Sequence, residues 1–246
     1  MTGRRRDVSE ATRKAAAELL GSLLLTATVV GSGIAAQRLT SDLGLQLLVN
    51  ALATGAILVA LVLSLGPVSA AFNPMVTVAE RLLGAIGTTT AAVHITCQVA
   101  GCCLGAVLAN LMFSVSPVLV STRTRGGTGL LLAEVVATFG LVLVVFGVVR
   151  SGRGPSVAYA VGAYITAAYF FTSSTSFANP AITVGRTLSD TFAGIAPASV
   201  PAFVAVQVLG GLLAVAAVVA IYPAPRALAD AVVRTAQPPA QVADTA

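Results

Sequence analysis

Charge is what this sequence has least of. Only 9% of its 246 residues are Asp, Glu, Lys or Arg, where a soluble globular chain carries roughly a quarter, and that scarcity excludes a water-facing surface of ordinary composition. Histidine occurs once, at His94, and cysteine three times, at Cys97, Cys102 and Cys103, all within one apolar segment. These provide neither a disulfide framework nor metal-ligand spacing with histidine; in such a segment they serve as small apolar side chains. No catalytic residue, cofactor or metal is expected, and so no enzyme. Apolar side chains are what the sequence has in abundance: 57% of residues are hydrophobic and the mean hydropathy is +0.93, values of a chain solvated by a bilayer.

Six apolar runs fall at about 15–36, 43–65, 89–113, 129–149, 156–172 and 200–222, close to the ~20 residues needed to cross a bilayer core. Arg4, Arg5 and Arg6 ahead of the first run resemble the start of a signal peptide, but that run has a counterpart later in the chain and is read as a span. With the N-terminus in the cytoplasm, only Arg38, Arg123, Arg125 and Arg186 of the fourteen Lys and Arg face outward, the sense that the positive-inside rule favours. Both termini are then cytoplasmic, in an inner (plasma) membrane. The net charge of +5 reads as topology and lipid contact, and a nucleic-acid partner is excluded for want of a soluble domain to bind it. Residues 223–246, with Pro238 and Pro239, read as a disordered cytoplasmic tail, which leaves one domain over 1–222.

That domain repeats itself, over about 13–113 and 129–222. "AAAELLGSLLLT" and "LLLAEVVATFGL" place Glu18 and Glu134 at matching points. Aligning Asn73 with Asn179 also aligns Pro74 with Pro180, Thr77 with Thr183 and Leu82 with Leu188, and Gln98 and Gln207 occupy similar places in the last span of each half. Three full spans per half is an odd number, so the second copy enters the membrane from the opposite face. The expected fold is all-α: six transmembrane helices in an inverted repeat, with a shorter segment in each half.

Those shorter segments begin with Asn-Pro, the pair that caps and opens a helix. At about 74–84 and 180–190 they cover roughly 15 Å, half the hydrocarbon core, and so read as re-entrant half-helices. Entering from opposite faces, they bring both helix starts to the midplane, where non-helical backbone is tolerated only against protein or a water-filled lumen. There Asn73 and Asn179 present amide donors beside two positive helix ends, a setting for neutral solutes rather than cations.

The residues that carry this pattern, Asn73-Pro74 and Asn179-Pro180-Ala181 with "GPVSAAFNP" after span two, Glu18, Glu134, Gln98 and Gln207, resemble the major intrinsic proteins, the aquaporin and aquaglyceroporin family. The resemblance covers about residues 13–222 and implies a homotetramer with one pore per protomer, passing water and small neutral solutes such as glycerol, urea or neutral metalloid hydroxides. Two departures bear on selectivity. Met75 stands where the family has Ala and is expected to narrow the centre. Ile182 stands at the family's filter arginine, and the other filter positions, carried over by spacing, fall at Thr54, Ala167 and Ser176. None is aromatic or charged, so a wide, permissive filter is expected. Arg186, four residues beyond Ile182 on the same helical face, reads either as a partial replacement for the lost cation or as an anchor to loop carbonyls or Asp190; its mirror in the first half-helix, Glu80, followed by Arg81, is expected to have a local structural role.

Two other function classes remain on sequence alone. A proton-coupled carrier would use Glu18, Glu134 or His94, since intramembrane ionisable groups are functional candidates; the resemblance instead gives the glutamates the task of holding the re-entrant loops. A membrane adhesion or scaffold protein fits the short outer loops poorly.

Overall fold

The computed structural model describes residues 8–222; the tail expected over 223–246 lies outside them. The described chain is all-helical, in the order α1 Glu10–Leu39, α2 Leu43–Leu65, α3 Pro74–Leu82, α4 Thr88–Met112, α5 Thr128–Arg150, α6 Val157–Phe171, α7 Pro180–Gly185 and α8 Val200–Ile221. Local chemistry sets several starts: Ser9 Oγ accepts from the Thr12 N–H at 3.2 Å to cap α1, and Asp42 Oδ1 accepts from the Leu45 N–H at 2.8 Å to cap α2.

Five of the six long helices are long and apolar enough to cross a membrane. The sixth, α6, has 15 residues, roughly 22 Å of rise, and a 3-10 turn over Gly154–Ser156 leads into it. The half-helices are also shorter than the sequence indicates. α3 stops at Leu82, and after Gly185 the last turn of α7 tightens into a 3-10 turn over Arg186–Leu188.

Within the first half α1 packs on α4, within the second α5 packs on α8, and α2 meets α6 across the halves. Without a hydrophobic drive between helices in lipid, such contacts rely on close backbone approach. Gly101 and Gly105 of α4 provide it: a Cβ at either would collide with the Leu19 or Leu23 carbonyl of α1. Gly210, three residues after Gln207 as Gly101 is after Gln98, lies equally tightly on the Val135 carbonyl of α5. The outward side is lined with exposed Leu, Val and Phe, among them Leu52, Leu104, Leu132, Phe170 and Leu212.

Candidate functional site

Two buried glutamates build the centre. Glu18 of α1 is fully buried and accepts from the Ala71 and Phe72 N–H groups at 2.9 and 2.8 Å, from Ser69 Oγ at 2.5 Å and from Gln98 Nε2 at 2.7 Å. Glu134 of α5 repeats the arrangement, accepting from the Phe177 and Ala178 N–H groups at 2.9 Å and from Gln207 Nε2 at 2.6 Å. Gln98 and Gln207 each donate onward, to Thr77 at 2.8 Å and Thr183 at 3.0 Å on the adjoining half-helix. Phe72 and Ala178 both adopt left-handed backbone, φ 48° and 46°, which for a residue with a Cβ costs about 1 to 3 kcal/mol and persists only where its surroundings enforce it. The glutamates enforce it, and the carbonyls of those two residues are thereby placed at the junction of the halves.

Each asparagine then bonds across that junction. Asn73 Nδ2 donates to the Ala178 carbonyl and Asn179 Nδ2 to the Phe72 carbonyl, both at 2.8 Å. Their side-chain oxygens cap their own helices, Asn73 Oδ1 accepting from Met75 N–H and Asn179 Oδ1 from Ala181 N–H at 2.9 Å. A carboxamide has two N–H groups, so one remains on each asparagine, and both residues line a cavity of about 320 Å³.

The cavity is walled on one side by the half-helices, with the same stripe in both. Asn73, Val76 and Glu80 line it from α3; Asn179, Ile182 and Arg186 line it from α7 and the turn that follows. The offsets are zero, three and seven in each half, one face of a helix. Pro74 and Pro180 occupy the first helical turn, as expected of helix starters, and neither they nor Ala181 are among the lining residues.

Four sequence-based expectations change. Met75 does not narrow the centre: it is 2% exposed, lies off the lumen stripe, and packs on Gly211 of α8, where any Cβ would collide with its Cε. Ala167 is no filter wall but an exposed residue on the outer side of α6. Ile165 and Tyr169, four apart and so on one face, line the lumen instead, and Ala167 between them points roughly 200° away. The wall is also neither free of aromatics nor free of charge, since Tyr169 and Arg186 both line it. Glu80, expected in a local structural role, lines the lumen, and its carboxylate has no hydrogen bond or ion pair among the described residues, while its neighbour Arg81 donates to Thr88 Oγ1 at 2.8 Å.

Thr54, Ser176 and Ile182 do line the cavity. Thr54 Oγ1 donates to the Asn50 carbonyl at 2.8 Å and lies 3.0 Å from Tyr169 Oη; with the threonine proton used, tyrosine supplies the second bond. Arg186, 2% exposed, donates through Nε to the Ala193 carbonyl, and its guanidinium carbon lies 3.5 Å from the centroid of the Phe177 ring. Asp190 is not its partner, for that carboxylate accepts from Thr122 N–H at 3.0 Å and from Ser121 and Thr122 hydroxyls. Glu18, Glu134 and His94 are all absent from the lining. His94 is buried on α4, and no metal-binding cluster occurs among the described residues. The signal that locates Val76, Glu80 and Arg186 was present in the sequence, as helical offsets from the two asparagines; that for Tyr169 required the rotational phase of α6.

Comparison with known proteins agrees with this fold. The family described as Major intrinsic protein matches residues 6–174. Aquaglyceroporin AqpS of Rhizobium meliloti (strain 1021) is 48% identical over 206 residues, 83% of this chain and 88% of that protein. The X-ray structure of the aquaglyceroporin from Plasmodium falciparum shares the fold with a TM-score of 0.62 at 19% identity, over 89% of this chain and 94% of that one. The chain belongs to the major intrinsic protein family.

Proposed function

We propose that the protein is a passive transmembrane channel for water and small uncharged solutes, glycerol-like molecules and neutral metalloid hydroxides among them, with no enzymatic activity. The carrying observation is the pair Asn73 and Asn179, each fixed by one N–H to the opposite half and each lining the lumen, with a second amide N–H left for a solute. Fixed donors at the meeting point of two helix starts favour oxygen-bearing neutral molecules and oppose cations. Thr54, Ser176 and Ile182 form part of the selecting wall. The protomers assemble as a homotetramer in an inner membrane, lipid-covered on the exposed apolar side, with both termini cytoplasmic. A proton-coupled carrier is disfavoured because Glu18 and Glu134 spend their oxygens on backbone and glutamine donors rather than on the lumen.

Stopped-flow swelling of proteoliposomes against water, glycerol and urea gradients tests this. Swelling well above empty liposomes, with no solute accumulation under an imposed proton gradient, is expected; accumulation would establish the carrier, and absence of swelling for every solute would overturn the channel.

A further inference from the structure

The two half-helices end on opposite charges. Glu80 and Arg186 each stand seven residues beyond their asparagine, and each lines the lumen. The end of a helix is the negative end of its dipole. Arg186 has the sign that such an end favours, whereas Glu80, in the last turn of α3, has the sign that it opposes. Nothing along the helix corrects this. The residues three and four positions away, Val76, Thr77, Leu83 and Gly84, carry no cation, and Arg81 donates instead to Thr88. Glu10 shows what a local tie looks like here, for it meets the Lys14 ammonium at 2.6 Å. The Glu80 carboxylate makes no hydrogen bond or ion pair among the described residues, and, being half-buried, its oxygens keep accessible surface.

The wall at that end of the lumen is apolar. α2 and α5 end, and α6 begins, at the face where α3 ends, and they contribute Val62 and Leu63 from the last turn of α2, Val149 from the last turn of α5, and Pro155 and Val157 from the start of α6. A carboxylate beside such a wall suits one kind of cation. A hard divalent ion takes roughly six to eight oxygen ligands, whereas an organic ammonium needs an acceptor for its charged head and an apolar surface for its chain. The residues from Asn73 to Glu80 span roughly 10 Å of lumen, which accommodates a short alkyl chain. Farther in, the two helix starts at Asn73 and Asn179 oppose a positive charge, so a cation held at Glu80 stays in the passage instead of crossing it.

We propose that Glu80 is the binding site of a small organic cation, a short-chain primary alkylammonium, which plugs the lumen from the end where α3 terminates. The ammonium donates to the Glu80 carboxylate and offsets the negative helix end, the chain lies on the valine and leucine wall, and water and neutral solutes lose their path while the site is filled. The ligand is a blocker and not a transported solute. This rests on the channel reading above, since a plug is observable only in a protein that conducts.

The test is osmotic swelling of proteoliposomes carrying the full chain, with butylammonium chloride at equal concentration on both faces and sodium chloride of the same ionic strength as the reference. Swelling by wild type is expected to fall about tenfold once butylammonium exceeds its half-blocking concentration by the same factor. Glu80→Gln is expected to raise that half-blocking concentration about tenfold or more, the worth of a hydrogen bond to a charged group. Methylammonium, which lacks the chain, is expected to block more weakly, and neutral butanol not at all. Wild type that swells equally with and without butylammonium overturns the proposal, as does a block that Glu80→Gln leaves unshifted. Magnesium chloride blocking at lower concentration than butylammonium overturns the organic class of the ligand. Should Glu80→Gln not reach the membrane, wild type decides alone: butylammonium no more effective than methylammonium, or matched by butanol, overturns the proposal. Failure of the channel reading looks different, as wild type would then swell no faster than empty liposomes before any amine is added.

Discussion

The side-chain amide of Asn73 donates to the carbonyl of Ala178, the residue immediately before Asn179, and Asn179 returns the bond to Phe72, the residue immediately before Asn73. The two halves are therefore locked at their helix starts by a reciprocal pair of 2.8 Å bonds. Each bond depends on a left-handed residue, and each left-handed residue depends on a glutamate from the first helix of its own half. A chain of structural dependence thus runs from α1 and α5, through two strained turns, to the two asparagine side chains that line the cavity.

Met75→Ala is expected to cost stability rather than open the lumen. The side chain packs on Gly211 and does not line the cavity, so its truncation leaves a void costing about 2 kcal/mol or more. Thermal melting in detergent is expected to fall while the glycerol-to-water swelling ratio holds. A faster flux at matched protein density would show that the side chain reaches the pore.

Ile182→Arg acts on the wall directly, because Ile182 lines the lumen one turn before Arg186. A second guanidinium there narrows the passage and adds like charge. Glycerol flux is expected to drop about tenfold more than water flux, since a narrow, strongly donating constriction penalises the larger solute. Equal loss of both in stopped-flow swelling would argue that position 182 does not discriminate by size.

What could be read from the sequence was one-dimensional. The Asn-Pro pairs, the glutamates and the glutamines recur at matching places in two halves, and their bonding pattern repeats as the spacing implies. What could not be read was angular. Ala167 and Tyr169 differ by two residues, yet only the second faces inward, and spacing alone carries no rotational phase for a helix with little amphipathic contrast. Met75 was misplaced for a related reason: its direction is set by a distant glycine, Gly211, which leaves the space it fills.

Outside the membrane, Asp190 ties the loop after α7 to the segment before α5. The Thr122 N–H, followed by the Thr122 and Ser121 hydroxyls, holds its carboxyl below the usual carboxylate range. A depressed folded-state pKa means that its stabilising effect is present above the unfolded value of about 3.9 and is lost as pH falls through the folded value. Asp190→Asn is therefore expected to melt below wild type at pH 7 and to converge with it toward pH 3. A gap that persists at low pH would assign the effect to the side chain's shape and not to its charge.

The reciprocal clamp makes its most specific prediction about Glu18 and Glu134. Glutamine at either position has one acceptor oxygen where the carboxylate has two, and its amide points donors at N–H groups that need acceptors. Each single replacement is expected to cost about 1.5 to 3 kcal/mol, the range for hydrogen bonds to a charged group, because a left-handed turn loses its restraint. If the turns were independent, the Glu18→Gln, Glu134→Gln double variant would lose the sum. They are not independent: Glu18 positions the Phe72 carbonyl that Asn179 uses, and Glu134 positions the Ala178 carbonyl that Asn73 uses. Once one turn has relaxed, part of what the other glutamate maintains is already gone. The double variant is expected to lose less than the sum by about 0.5 kcal/mol or more, the size of coupling seen between residues in one network. Denaturant unfolding of the four proteins measures it, with swelling per folded protein as the companion readout. Strict additivity would mean that the halves hold their turns separately, whereas single variants that swell normally but abolish a proton-driven accumulation present in wild type would return both glutamates to a proton-coupling role.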